Sequence, residues 1–138
     1  MWFKNLQIYR LPVNWGLTAD TLQEKLAAHP FQPCGSQDMA SRGWSSPTKD
    51  DRFVLPVKGH FLISLAVEQK LLPSSVVNDV AADKAEMIEA QQGYKPGRKQ
   101  MKEIKEAVLQ ELLPRACTRR RKVFSWIDPV GGWLVIDA

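Results

Sequence analysis

Apolar residues at Met101, Ile104, Val108 and Leu112 recur at spacings of three and four, which places one buried stripe on a helix running from Arg98 to just before Pro114. Upstream, Val76, Val77, Val80, Ala81, Met87 and Ile88 sit near helical spacing. They predict a second helix, capped by Ser74 or Ser75 and ending at about Gln91, before Gly93, Tyr94, Lys95, Pro96 and Gly97 break it. The two helices with their short connection form an αα-hairpin, expected to project from a sheet as a finger over about Val76 to Leu113.

Strands are predicted on either side of this finger. Trp2 to Leu11 mixes aromatic and aliphatic residues with polar ones in rough alternation, and Pro12 ends it. Thr18 is a suitable N-cap for a short amphipathic helix from about Ala19 to Ala28, with Leu22 and Leu26 on its apolar face. The next segment, rich in Pro, Gly and Ser from Pro30 to Pro47, reads as ordered loop with one turn of helix from Gln37 to Arg42, capped by Ser36. Phe53 to Val57 and Phe61 to Val67 form a hairpin across Lys58, Gly59 and His60. Val123 to Ile127 and Trp133 to Ile136 form another across Asp128 to Gly132. The expected fold class is α+β, an antiparallel or mixed sheet with a two-helix finger. Residues 1–73 make the first part of the sheet core, 74–114 the finger and 115–138 the return strands. The chain stops at Ala138 directly after a strand, which reads as a truncation.

With 138 residues and 44% hydrophobic composition, the chain can bury a core of its own. Cys34 and Cys117 make no metal-ligand spacing, and free thiols or a single disulfide are both compatible with the sequence. Lys4 and Arg10 interrupt the apolar residues of the N-terminus, so no signal peptide is expected, nor any membrane span. The expected location is the cytoplasm.

Charge is distributed unevenly. Ten basic residues lie between Lys95 and Lys122 (Lys95, Arg98, Lys99, Lys102, Lys105, Arg115, Arg119, Arg120, Arg121, Lys122) against Glu103, Glu106 and Glu111, a local net of +7. The rest of the chain carries nine basic and twelve acidic residues, a net of −3. Arg98 and Lys99 fall in the first turn of their helix, where the positive end of the dipole disfavours them by a few tenths of a kcal/mol each. Lys99 with Glu103 and Lys102 with Glu106 are spaced to pair, but in the weaker orientation. This charge does not serve the helix itself, which points to a polyanionic partner, nucleic acid before an acidic protein. A solvated basic face is the plainer alternative.

Several separated pieces, WFKNLQIYRL at the start, CGSQDMASRGW (Cys34 to Trp44), LLPS (Leu71 to Ser74), LLPRA (Leu112 to Ala116) and WID (Trp126 to Asp128), resemble in order and spacing the N-terminal half of the RdgC family of recombination-associated proteins. That resemblance implies antiparallel sheets with a helical tip. It also implies a ring-shaped homodimer whose basic inner surface encircles duplex DNA with little sequence preference, antagonism of RecA by occupying DNA, and association with the nucleoid. The C-terminal half of the family, which supplies part of the ring and its dimer contacts, is absent. After Pro114, Arg115 and Ala116, where the family often has an aromatic residue, this sequence has Cys117.

The candidate DNA-binding residues are Arg98, Lys99, Lys102, Arg115, Arg119, Arg120, Arg121 and Lys122. Lys95 and Lys105 read as ordinary surface charge. Such side chains would position the protein on phosphates without reading bases. Trp2, Trp15, Trp44, Trp126 and Trp133 read as core or interface residues. A competing enzymatic possibility is a Mg²⁺-dependent nuclease using Asp51, Glu68 and Lys70, because an acidic-x-Lys at a strand end beside another carboxylate can hold the ion and activate water. Glu103, Ile104 and Lys105 repeat the same pattern on a helix, which shows how often it arises by chance. Asp79, Asp83 and Glu86 read as a solvated helix face, and Ser36, Gln37 and Asp38 as a loop brace. No catalytic residue, metal ligand or cofactor is expected. The expected partners are duplex DNA and a second subunit.

Overall fold

The computed structural model describes residues 3–138 and divides into two compact units. The first comprises residues up to Pro33, Ser41–Glu68 and Arg120–Ala138; the second comprises Cys34–Ala40 and Gln69–Arg119. Six strands, β1 (Leu6–Arg10), β2 (Ala40–Ser45), β3 (Leu55–Val57), β4 (His60–Lys70), β5 (Thr118–Asp128) and β6 (Trp133–Asp137), form one sheet in the order β1-β6-β5-β4-β2, with β3 paired to β4. With helices α1 (Ala19–Ala27), α2 (Ser74–Gln92) and α3 (Arg98–Leu112), the chain has the predicted α+β class. The expected strand at Trp2 falls outside the described residues, and β1 begins at Leu6.

In the first unit, β4 is the most buried strand, with Phe61, Leu62, Ile63, Ser64, Ala66 and Glu68 all buried. α1 lays Leu22 and Leu26 against Phe61, Ile63, Val54 and Ile127. Each such side chain contributes about 1.5–3 kcal/mol by leaving water. Thr18 caps α1 as the sequence predicts, and Thr21 returns the bond to its backbone in a capping box. From the same helix Gln23 accepts the N–H groups of Phe53 (2.8 Å) and Val54 (3.0 Å), which seats the fully buried Val54 in the core. At the far end of the sheet, β1 pairs antiparallel with β6, and Asp137 accepts the backbone N–H groups of Lys4 and Asn5.

Two sequence expectations need correction here. The stretch expected as loop with a helical turn contains β2, and only Ser36 and Gln37 form a turn. Gly43 in that strand is not a turn residue. A Cβ there would lie 2.5 Å from Phe31 Cα and 2.6 Å from Pro30 O, because the His29–Phe31 backbone runs alongside β2, with Phe31 N–H donating to Trp44 O and Trp44 N–H to His29 O. β5 also begins five residues before the expected Val123, so the block Arg119–Lys122 lies in a strand.

In the second unit, α2 and α3 pack through Ala81, Ile104 and Val108, flanked by Val77, Val80, Ala85, Ile88, Met101 and Leu112. The pair runs antiparallel, Lys84 meeting Glu111 at one end and Gln92 meeting Gln100 at the other. Gly93 ends α2 in a left-handed cap, as its position implied. Neither predicted serine caps α2: Pro73 is the cap residue and Ser74 the first helical residue. A single 3-10 turn, Leu113–Arg115, follows α3. The expected brace is present, Asp38 accepting Gly35 N–H at 2.8 Å and Gln37 donating to Gln110 O at 3.3 Å.

Replacing Gly43 by Ala forces the Phe31 backbone away from β2. The expected cost is about 1–3 kcal/mol, the range for overpacking a rigid site, measured as a lower denaturant midpoint with an unchanged m-value. An unchanged midpoint would mean that the two segments separate freely.

Candidate nucleic-acid interface

All eight candidate basic residues are exposed. Five of them, Arg98, Lys99, Lys102, Arg115 and Arg119, belong to the second unit. On α3, Arg98, Lys102 and Lys105 follow one another at four and three residues and so share a line along the helix. With Pro96, Gly97, Met101 and Glu106 they line a shallow groove. Lys105 therefore joins the candidates it was separated from in the sequence. Its signal was present in the spacing from Lys102, but charge counting alone does not assign faces. Lys99 turns toward the Glu103 side of the helix. Among the described residues, Arg98, Lys99, Lys102 and Lys105 form no ion pair, so neither predicted Lys–Glu pair on α3 closes. With Gly97 as the cap residue and no acidic residue in the first turn, the start of α3 is uniformly positive.

An ion pair between the two helices lies away from this end. Lys84 donates to Glu111, and that hydrogen bond, then the lysine's charge and more weakly that of Arg115, hold the Glu111 carboxyl below its ordinary value.

The remaining three candidates, Arg120, Arg121 and Lys122, belong to the first unit, where they have different surroundings. Alternation along β5 sends Arg120 and Lys122 to one face and Arg121 to the other. Arg120 donates from Nε (2.9 Å) and Nη2 (2.8 Å) to Oε2 of Glu68, and its guanidinium lies 4.7 Å from the ring centre of Phe31. Glu68 is only 5% exposed while Arg120 is 54% exposed. The arginine thus neutralises a buried carboxylate with one edge and faces water with the rest. Lys122 Nζ donates to Ser46 O at 2.8 Å. Arg121 makes no ion pair among the described residues.

The nuclease candidates have other occupations. Glu68 is engaged by Arg120, and Asp51 lies in the exposed loop before β3. Lys70, in the second unit, donates its Nζ to Leu113 O at 2.8 Å and Ser36 O at 3.3 Å, a cation closing the carbonyl end of the α3 segment. Among the described residues, no group of three or more His, Cys, Asp or Glu side chains is disposed to hold a metal ion. Cys117 is a free, exposed thiol. Trp15 and Trp44 pack against the core of the first unit, and Trp126 donates to His60 Nδ1 at 3.2 Å. No helix among the described residues is long and apolar enough to cross a membrane.

A family model described as "Putative exonuclease, RdgC" matches residues 1–138. The chain is 56% identical over 138 residues to the "Recombination-associated protein RdgC" of Herminiimonas arsenicoxydans, covering 100% of this chain and 46% of the relative. It is 55% identical to the protein of the same name from Janthinobacterium sp. (strain Marseille) and 53% to that from Bordetella pertussis, again over the whole chain and 46% of each relative. It thus spans a little under half the length of these relatives.

Arg120→Ala removes the guanidinium from the buried Glu68, and an expected loss of about 1.5–3 kcal/mol, the range for hydrogen bonds to a charged group, follows. Arg121→Ala is expected to stay within about 0.5 kcal/mol, as for surface substitutions generally. Equal effects in urea denaturation would reject the division between the two. A second check uses pH. Because the folded state lowers the Glu111 pKa, its contribution to stability is present above the ordinary glutamate pKa and is lost as pH falls through the lowered value. In an NMR titration, Lys84→Met should raise the Glu111 midpoint toward that of an unpaired glutamate.

Proposed function

The chain belongs to the RdgC family, and from that premise we propose that it serves recombination as a sequence-independent duplex DNA-binding protein. Basic side chains on α3 and β5 meet phosphate oxygens. The observation that carries this proposal is the line of Arg98, Lys102 and Lys105, exposed and without acidic partners among the described residues. Cations left unpaired along one helix face are free to displace the counterions of a polyanion. Arg115, Arg119 and Arg121 extend the candidate surface within their respective units, while Arg120 and Lys122 divide their capacity between the fold and the ligand. Contacts of this kind fix position and carry no base readout. In the longer polypeptides of the family, the same contacts would line a ring-forming homodimer on nucleoid DNA that limits the access of RecA.

A nuclease centre on Asp51, Glu68 and Lys70 would need Glu68 free to bind a cation, whereas Arg120 engages it. DNA binding without cleavage is the function proposed for this chain.

The test is duplex binding measured across a range of salt concentrations, with and without Arg98, Lys102 and Lys105 replaced by Gln. Three lost phosphate contacts should make the slope of log K against log salt shallower by about 3 × 0.9, weakening binding equally on unrelated sequences. An unchanged slope would remove α3 from the interface. Glu68→Gln, with fluorescent DNA and added Mg²⁺, should behave as the unsubstituted chain and release no nucleotide. Cleavage by the unsubstituted chain that Glu68→Gln abolishes would establish the enzyme instead.

A further inference from the structure

The sheet of the first unit is covered by α1 on one face, and on the other face β4 is buried while the β1–β6 end is bare. Ile127 and Leu134 are register partners and both pack in the core with α1. Their neighbours Trp126 and Val135, also register partners, therefore point to the opposite side. On that side β1 adds Ile8, opposite Val135, and Leu6, while β6 adds Trp133. Ile8 is 59% exposed, Leu6 48% and Trp133 40%, and with Trp126, Val135 and Asp128 the residues Ile8 and Trp133 shape a shallow depression. Next to it, β1 is the edge strand, with all five residues exposed.

We propose that this face is the docking surface for the part of the RdgC polypeptide outside these 138 residues, which lays an apolar layer over β1, β6 and β5. Three observations support that occupant. More than half the length of each relative compared lies beyond the matched segment, so the family's polypeptide has the material for a cover. The chemistry of the face is that of a permanent internal contact: an apolar centre with charge confined to its rim, where Arg10 lies 4.0 Å above the Trp133 ring and His60 already takes the Trp126 N–H. The depression is bordered by Arg10 and Asp128, one of each sign, and the cations that share its side of β5, Arg120 and Lys122, are engaged by Glu68 and Ser46 O. A segment joined to the same polypeptide also avoids the translational and rotational cost that a separate partner incurs. This proposal rests on family membership and not on DNA binding, so either can fail alone.

The experiment compares the 138-residue chain with a hybrid in which it continues into the remaining sequence of the Herminiimonas arsenicoxydans relative. Hydrogen exchange at β1 and β6 is expected to slow by roughly tenfold or more in the hybrid. Ile8→Glu should leave the thermal midpoint of the short chain unchanged and lower that of the hybrid. Equal exchange in both, or an Ile8→Glu that is neutral in both, overturns the proposal. It is also overturned if the short chain alone forms a dimer in sedimentation that Ile8→Glu dissolves, because the face then takes a second copy. Should the hybrid fail to fold, the two parts co-expressed as separate chains provide the readout: they should purify together, and Ile8→Glu with Val135→Glu should part them. Co-expressed parts that never associate likewise overturn it.

Discussion

The carboxylate of Glu68 is a buried charge near the end of the most buried strand, and much of the neighbouring structure answers to it. An ionised carboxylate removed from water needs a counter-charge with hydrogen bonds, or it is driven to take up a proton. Arg120 meets that need with two donors on one oxygen. The pairing fixes which face of β5 each basic residue occupies: with Arg120 turned to β4 and Phe31, Lys122 shares its side and Arg121 must point away. A run of four like charges is thereby divided by strand geometry into members that hold the fold and members that face water.

This division explains what could be read from the sequence. Periodicity gave α1 and α3 almost to the residue and located the β4 hairpin, though β3 starts two residues after the expected Phe53 and β4 runs three beyond the expected Val67, because each buries an apolar stripe whose spacing is visible in one dimension. β2 was hidden since Ala40–Ser45 has one large apolar side chain, Trp44, among small and polar residues, and the strand is held by neighbouring backbone, the crossing segment up to Phe31 and the β4 ladder, as well as by Trp44 in the core. The early start of β5 was hidden for a related reason. Four consecutive basic residues have no strand-like hydrophobic alternation, yet a ladder partner asks only for backbone groups.

The candidate site was legible as charge and not as geometry. Counting located the basic segment between Lys95 and Lys122, but assigning Lys105 to the line of Arg98 and Lys102 needed the helix faces, and separating Arg120 from Arg121 needed the location of Glu68, 52 residues away. The acidic-x-Lys pattern of the nuclease alternative failed in the same way. Glu68 and Lys70 are two residues apart on β4, yet one neutralises an arginine and the other closes the carbonyl end of the α3 segment.

The start of α3 joins ligand binding to the stability of the free protein. Arg98 and Lys99 raise the energy of the helix they begin, since they stand at the positive end of its dipole with no nearby acid in the first turn. Any anion held there relieves that repulsion, so part of the affinity comes from strain already present in the unbound helix. Simple salt relieves the same repulsion by screening it. Ionic strength therefore acts in two opposite directions on one helix turn, firming the empty protein while loosening its hold on a polyanion.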